Sequence, residues 1–237
     1  NIKTSKNFID FKSKIKLRAD KNRISIIAEI KKASPSAGLL VKNFDPLKIA
    51  EIYINNNAVC LSVLTEEDFF LGKLDYIKNI KNVFSIPILC KDFFIDPYQV
   101  PLAKSYQADS ILIILAAVDK LLAKDLYQAA LDLNMSVIVE VHSQKEAELA
   151  LSFEESIIGI NNRNLKTLET SLDTTLQLSK ILNSHKNPLI CESGIHSPNE
   201  IKFVIEKTKI YNFLIGESLL TSDDIPSKLR ELSQINL

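Results

Sequence analysis

The sequence predicts a single (β/α)8 barrel preceded by a short helical extension. Three observations predict it. Eight short, β-branched apolar runs recur from about residue 24 to the end, spaced ~20 to 35 residues apart as βα units are. Most runs are near-continuous Ile, Leu and Val, the composition of parallel strands buried on both faces. The stretches between them carry helix-start signals and amphipathic spacing.

The predicted strands are Ser25–Lys31, Val59–Thr65, Pro87–Lys91, Asp109–Leu115, Ser136–Val141, Ser156–Asn161, Pro188–Glu192 and Tyr211–Gly216. After the first strand, Asp45 can cap a helix with Pro46 at its first position, running through Leu47, Ile49, Ala50 and Ile52. Asp119–Leu133 reads as another helix. Ser143 with Glu146 reads as a capping box before Ala147, Leu149 and Ala150. Ser197 followed by Pro198 opens a helix containing Ile201, Val204 and Ile205. Residues 7–19 form a basic amphipathic segment expected to lie as a helix across the barrel. Eight βα units allow a closed barrel or a long doubly wound sheet. No Gly-rich dinucleotide fingerprint follows the first strand, and the chain has only five glycines, which favours the barrel. No linker or further repeat divides the chain. The simplest reading is one domain over 1–237, with 1–23 as extension and 24–237 as barrel.

Lys+Arg and Asp+Glu both number 29, so the formal net charge is zero. That excludes the broad electrostatic footprint of a nucleic-acid or anionic-membrane binder, and an anion must be held by a local site. No apolar run approaches a membrane span, and no signal peptide is visible. Cys60, Cys90 and Cys191 are odd in number, far apart and set in apolar runs, which fits a cytoplasmic protein. The chain begins with Asn1, so residues are expected to precede it.

The chemistry collects at strand ends. Side chains alternate faces along a strand, so Ile27, Glu29 and Lys31 share one face, as do Leu89 and Lys91, Ile138 and Glu140, Gly159 and Asn161, and Ile190 and Glu192. In each of these strands the polar member comes last, at the rim where this fold carries its active sites. One such residue reads equally well as a solvated strand end. Five strands ending this way do not, because half-buried charges are costly unless paired. Crowded or desolvated lysines are expected to have lowered pKa values and to donate protons near neutral pH. The last two strands run into Ser193-Gly194 and Gly216-Glu217-Ser218, the loops that commonly hold phosphate in this fold. Each glycine alone reads as a turn residue; together they favour a phosphate site. His142, His185 and His196 lack ligand spacing, so no metal site is expected. His142 follows Glu140 on the same face, where it can line the rim.

These strand ends carry a resemblance. IIAEIKKASPS at 26–36, LSVLTEEDFFLGKL at 61–74, ILCKDFFIDPYQV at 88–100, SVIVEVH at 136–142, IIGINNRNL at 157–165, LICESGI at 189–195 and FLIGESLL at 213–220 resemble, in order, the strand signatures of indole-3-glycerol-phosphate synthases. The resemblance implies decarboxylating and dehydrating closure of 1-(2-carboxyphenylamino)-1-deoxyribulose 5-phosphate to indole-3-glycerol phosphate, with no metal or organic cofactor. It implies Lys91 as general acid, Glu140 as general base and Lys31 as a carboxylate contact assisting proton transfer. Which lysine donates in which step stays open. It further implies Glu29 orienting both lysines by ion pairing, and Asn161, Arg163, Glu192 and Ser193 as polar site residues. Phosphate would be held at Ser34, Gly194, Gly216 and Glu217, the last through its backbone. Phe69, Phe70 and Phe93 are candidates to pack on the anthranilate ring, and equally for loop or core packing.

The chain departs from the family pattern at Ala37, where lysine often follows SPS, at Cys90, at Pro101 and Gln107, where Glu and Gly are usual, and at Asn164, where NNRD is usual. Cys90 faces away from Lys91 and reads as core. The N-terminal segment is shorter than the family's usual one. Lys32–Phe44 is a long loop expected to close over substrate. The expected partner is a phosphorylated small molecule, with no nucleic acid or membrane; a partner enzyme is not identified. Two other readings stand beside this one. A sugar-phosphate isomerase of the same barrel type would need a different acid–base pair, with a cysteine at the first strand end, and there is none. A non-catalytic metabolite-binding barrel would be expected to lack Lys91 or Glu140, and both are present.

Overall fold

The computed structural model describes residues 9–235. Eight parallel strands close into a barrel: β1 Ser25–Ile30, β2 Cys60–Leu64, β3 Ile88–Lys91, β4 Ser110–Ile114, β5 Ser136–Val141, β6 Ile157–Asn161, β7 Leu189–Glu192 and β8 Asn212–Ile215, with β1 pairing both β2 and β8. Each predicted strand is present, one residue shorter at most ends. A two-stranded hairpin, Ala33–Ser34 with Gly38–Leu39, sits in the loop after β1.

Alternation sorts the apolar side chains into two cores. Ile27, Cys60, Leu89, Leu112, Ile138, Ile157, Ile190 and Leu214 put one residue from every strand inside the barrel. Outward residues such as Ile26, Ile30, Val63, Cys90, Val137, Val139 and Phe213 pack against the helices. Two positions beyond the inner layer on β1, β3, β5 and β7 stand Glu29, Lys91, Glu140 and Glu192. An apolar floor therefore sits directly beneath a charged layer.

The helices follow their caps. Asp45 accepts the Leu47 and Lys48 N–H groups and Pro46 opens helix Pro46–Asn55; Asp119 does the same for Lys120–Asp132. Ser197 and Glu200 form a reciprocal box at Pro198–Thr208. The box predicted at Ser143 forms only in half. Ser143 accepts the Glu146 N–H, but the Glu146 carboxylate takes the N–H of His142 at 2.7 Å instead of that of Ser143. Pro101 lies in the first turn of helix Gln99–Ser105, where its missing N–H leaves no intrahelical bond unmade.

The basic N-terminal segment becomes helix Phe11–Ala19, capped by Asp10; residues 7 and 8 of the predicted span lie outside the described residues. Phe11 and Ile15, one turn apart, insert fully buried into the inner core. The Asp109 carboxylate ties this end together, accepting the Ile9 N–H at 3.0 Å, the Ile88 N–H at 2.8 Å and the Lys81 ammonium at 2.8 Å. The barrel is thus plugged at its N-terminal end and open at the other. No described helix is long and apolar enough to cross a membrane.

Candidate active site

The open end holds a cavity of about 490 Å³. Of the sequence-predicted residues, Glu29, Lys31, Ser34, Phe69, Phe70, Lys91, Phe93, Glu140, Asn161, Arg163, Ser193, Gly194, Gly216 and Glu217 all line it. Glu192 lies just beneath, with no solvent exposure, bonded to Lys91.

The charged layer is a continuous network. Glu29 stands between the lysines, 2.7 Å from Lys31 Nζ and 3.2 Å from Lys91 Nζ. Lys91 reaches on to Glu192 Oε2 at 3.1 Å. Burial alone would push the Glu29 carboxyl up, but the two lysines beside it hold it down to about 2. The expectation of a lowered lysine pKa fails at Lys91. Burial does disfavour its ammonium, yet Glu192, Glu29 and Glu140 together outweigh that, and its pKa is raised. The sequence places lysines and carboxylates on one rim but does not show that three carboxylates face Lys91.

Two glycines make this network possible by close approach. A Cβ at Gly159 on β6 would stand 2.0 Å from Glu192 Oε1, and one at Gly216 would stand 2.4 Å from Glu29 Oε1. Gly216, predicted from its loop position as a phosphate residue, therefore also has a packing duty that the loop motif does not reveal.

Glu140, 2% exposed, faces Lys91 and has Oε1 3.2 Å from His142 Nε2. Its Oε2 is buried and accepts no hydrogen bond among the described residues. Burial raises the Glu140 pKa, but His142, Lys91 and the Asn161 amide lower it further, so the net shift is downward. Burial pushes Glu192 the other way, up to about 7, with Glu140 opposing its charge and Lys91 favouring it.

Asn161 Oδ1 accepts the Arg163 N–H at 3.0 Å and the Ser193 hydroxyl at 2.9 Å, joining the ends of β6 and β7. Asn162, unpredicted, does the deeper bracing. Its amide donates to the Glu192 and Ser193 carbonyls, and its Oδ1 accepts the Thr175 N–H and hydroxyl. The Arg163 guanidinium is held by the Glu217 carboxylate at 3.1 Å and the Leu168 carbonyl at 2.9 Å. Glu217 thus turns its carboxylate to Arg163. Gly194 (φ 78°) follows Ser193 (φ 65°), two consecutive left-handed residues that reverse the chain after β7.

On the apolar side, Leu112 and Ile114 form the floor, and the Phe70 and Phe93 rings sit 6.4 Å apart, tilted by 49°. Phe69 is 65% exposed at the mouth. The Phe69 and Phe70 segment is pinned by Glu66, whose carboxylate accepts the Asp68, Phe69 and Phe70 N–H groups at 2.8–3.0 Å. The loop after β1 docks on the same segment through Ala33 N–H to Phe70 O at 3.3 Å. Ala37, exposed, donates its N–H to Ser34 Oγ, and Asn164 caps the turn that follows it through Lys166 and Thr167 N–H. Cys90 is buried on the outer face, its thiol pushed up to about 12 by burial, and is no nucleophile. Among the described residues, no group of three His, Cys, Asp or Glu side chains is placed to hold a metal ion.

Comparison with known proteins gives a family. A sequence model of the indole-3-glycerol phosphate synthase family matches residues 1–232. An indole-3-glycerol phosphate synthase of Bordetella pertussis is 42% identical over 222 residues, 94% of this chain and 84% of that protein. One of Roseiflexus castenholzii is 44% identical over 216 residues, 88% of this chain and 80% of that protein. Among solved structures, phosphoribosyl anthranilate isomerase from Thermotoga maritima superposes with a TM-score of 0.64 at 11% identity, covering 87% of this chain and 96% of that one. The last likeness is one of fold.

Proposed function

Since the chain belongs to the indole-3-glycerol phosphate synthase family, we propose that its charged rim closes the indole ring by lysine and glutamate acid–base catalysis. The family's enzymes are carboxy-lyases acting on a phosphorylated small molecule. The substrate's aromatic carbon attacks the ribulose carbonyl, CO2 leaves, and water leaves as the new ring becomes aromatic.

The observation that carries the residue assignment is an ammonium and a carboxylate that both line the cavity: Lys91, held by Glu29 and Glu192, and Glu140. Ring attack turns the carbonyl oxygen into an alkoxide, a far stronger base than an amine. Lys91 can therefore protonate it even with a raised pKa, and a firmly charged ammonium also stabilises the oxyanion as it develops. After decarboxylation the new hydroxyl takes a proton from a rim lysine and leaves as water, and Glu140 takes a proton from the five-membered ring. Lys31, tied to Glu29 at the same rim, is the contact for the substrate carboxylate. The apolar wall of Leu112, Ile114, Phe70 and Phe93 suits the anthranilate ring. Ser34, Gly194 and the Gly216–Ser218 turn, on the other side, suit the phosphate. Three free, buried thiols accord with a cytoplasmic location.

The chain contains no tryptophan, so indole fluorescence can be followed against a low protein background. Purified protein with the carboxyphenylamino substrate is expected to generate indole emission. A flat trace from folded protein would refute the assignment.

A further inference from the structure

His142 sits outside the cavity wall and has no part in the reaction steps above, yet both of its ring nitrogens face carboxylates. Nε2 lies 3.2 Å from Glu140 Oε1, and Nδ1 lies 3.3 Å from Glu146 Oε2. Glu146 is itself fixed by the His142 backbone N–H at 2.7 Å and the Ser143 hydroxyl at 2.7 Å. A neutral imidazole carries one N–H and one lone pair. In either tautomer the lone pair would confront a carboxylate across a nearly dry contact. The imidazolium presents positive charge to both; its Nε2 meets Glu140 at ion-pair distance without hydrogen-bond geometry among the described residues, and the two carboxylates overcome the burial that opposes the charge, raising the ring to about 9.

The second part of the geometry is a pair of acids. Glu140 on β5 and Glu192 on β7 flank β6, where Gly159 leaves the space between them without a side chain. Glu192 Oε1 fills that gap, and it and Glu140 Oε2 are both buried without hydrogen-bond partners among the described residues. Two carboxyl groups crowded in this way keep one proton between them. Lys91 faces both acids, Asn161 faces Glu140, and His142 faces Glu140. Lys91 pairs directly with Glu192, and the imidazolium is the charge that lies against Glu140 and not against Glu192.

We propose that His142 is a positioning residue that decides which acid is the base: clamped by Glu146, it holds Glu140 anionic so that the retained proton resides on Glu192. The proposal rests on the reading of Glu140 as base, but its charge states can be measured without substrate. Glu140 can accept a proton only if it enters the reaction without one. Removing the imidazolium would let the shared proton drift onto Glu140, silencing the base as pH falls.

The test uses the full chain with labelled histidine, following each imidazole by NMR titration, with His142→Gln identifying the His142 signal among the three histidines. In the wild type His142 is expected to stay doubly protonated at pH 7.5 and to titrate above pH 8, and Glu146→Gln to lower that midpoint by about 1 unit. A midpoint at or below 7 would overturn the proposal. The paired measurement is the pH profile of kcat/KM. His142→Gln is expected to move the acid limb up by about 1 unit, costing ~10-fold at pH 6 and little at pH 8.5. A uniform loss at every pH would mark His142 as a packing residue and sink the idea. If His142→Gln does not fold, the wild-type and Glu146→Gln titrations still decide. Absence of indole formation in the wild type would refute the acid–base reading while leaving the titration result intact.

Discussion

Gly159→Ala tests whether the space at β6 is what holds the acidic network together. The added Cβ would lie 2.0 Å from Glu192 Oε1, 3.1 Å from its Cδ and 3.2 Å from Ile138 Cγ2. Normal contact needs roughly 3.4 Å, so the Glu192 carboxyl must retreat by about 1.4 Å. Glu192 has no solvent exposure and its other oxygen is bonded to Lys91 at 3.1 Å, so that retreat breaks the pair. Breaking a buried ion pair costs about 3–5 kcal/mol. Two features reduce this: Lys91 keeps Glu29 at 3.2 Å, and Glu192, pushed up to about 7, can take a proton when its partner is lost. A loss of about 2–3 kcal/mol follows, or roughly 4–12 °C in Tm for a barrel of this size. Turnover should fall by ~10²-fold, because a shift of about 1 Å in a proton donor costs that much. Thermal melts by circular dichroism and the indole fluorescence assay measure the two effects. The deciding variant is Gly159→Ala with Glu192→Ala, which removes the colliding carboxyl. It should be no less stable than Glu192→Ala alone, a non-additivity of about 2 kcal/mol. A Gly159→Ala melt within 2 °C of wild type, or additive losses in the double variant, would refute the clash.

Lys91→Ala should lower kcat by ~10² or more while substrate still binds, as loss of a general acid does; near-wild-type turnover would remove Lys91 from that role. Glu29→Gln tests the pairing of the lysines through acid stability. Glu29 is depressed from 4.5 to about 2, so its stabilisation is complete above pH 4.5 and is lost as pH falls toward 2. The variant should be less stable at neutral pH by about 3 kcal/mol, with that gap closing between pH 4.5 and 2 in acid-titrated urea melts. A constant gap would deny the linkage. Gln107 occupies a left-handed turn at φ 71° after helix Gln99–Ser105, so Gln107→Gly should relieve about 1–2 kcal/mol of strain. Glycine's freer unfolded chain offsets about 0.4–1 kcal/mol of that. A small net rise in Tm is expected, and a fall would show that Gln107 makes a compensating contact.

The strands and most helix starts were legible because they depend on local rules. β-Branched runs at βα spacing, Asp45 and Asp119 caps, and Pro46 and Pro198 at first helical positions all act within a few residues. The rim was legible because alternation along five strands projects onto one layer once the barrel closes. What escaped depends on distance across the barrel. Lys81 and Asp109, 28 residues apart, form a buried pair at the plugged end, and neither carries a local sign of it. Gly159 gives no turn signal; its reason lies on β7. Asn162 looked like one letter of a motif beside Asn161, yet its side chain serves the backbone of β7 and the helix Asp173–Ile181. The lysine pKa expectation failed for the same reason. Convergence of cations was visible in the alternation, but the sign of the shift depends on the carboxylates that strand order brings opposite Lys91.

Those carboxylates bear on how labour divides between the two lysines. Lys91 contacts Glu29 and Glu192 and feels Glu140, whereas Lys31 contacts Glu29. Releasing a proton from Lys91 leaves its carboxylates facing one another without a cation between them. On the proposed reading, that cost favours Lys91 as a group that stabilises an oxyanion and is reprotonated from within the layer. Glu192, at about 7, is the group nearest neutrality and so the natural source of that proton. Among the described residues Lys31 has no second carboxylate at ion-pair distance, so an incoming substrate carboxylate can share it without displacing one. On the proposed reading, Lys91 serves the reacting oxygen and Lys31 the leaving CO2. That makes Glu29 the residue whose loss should affect both steps together.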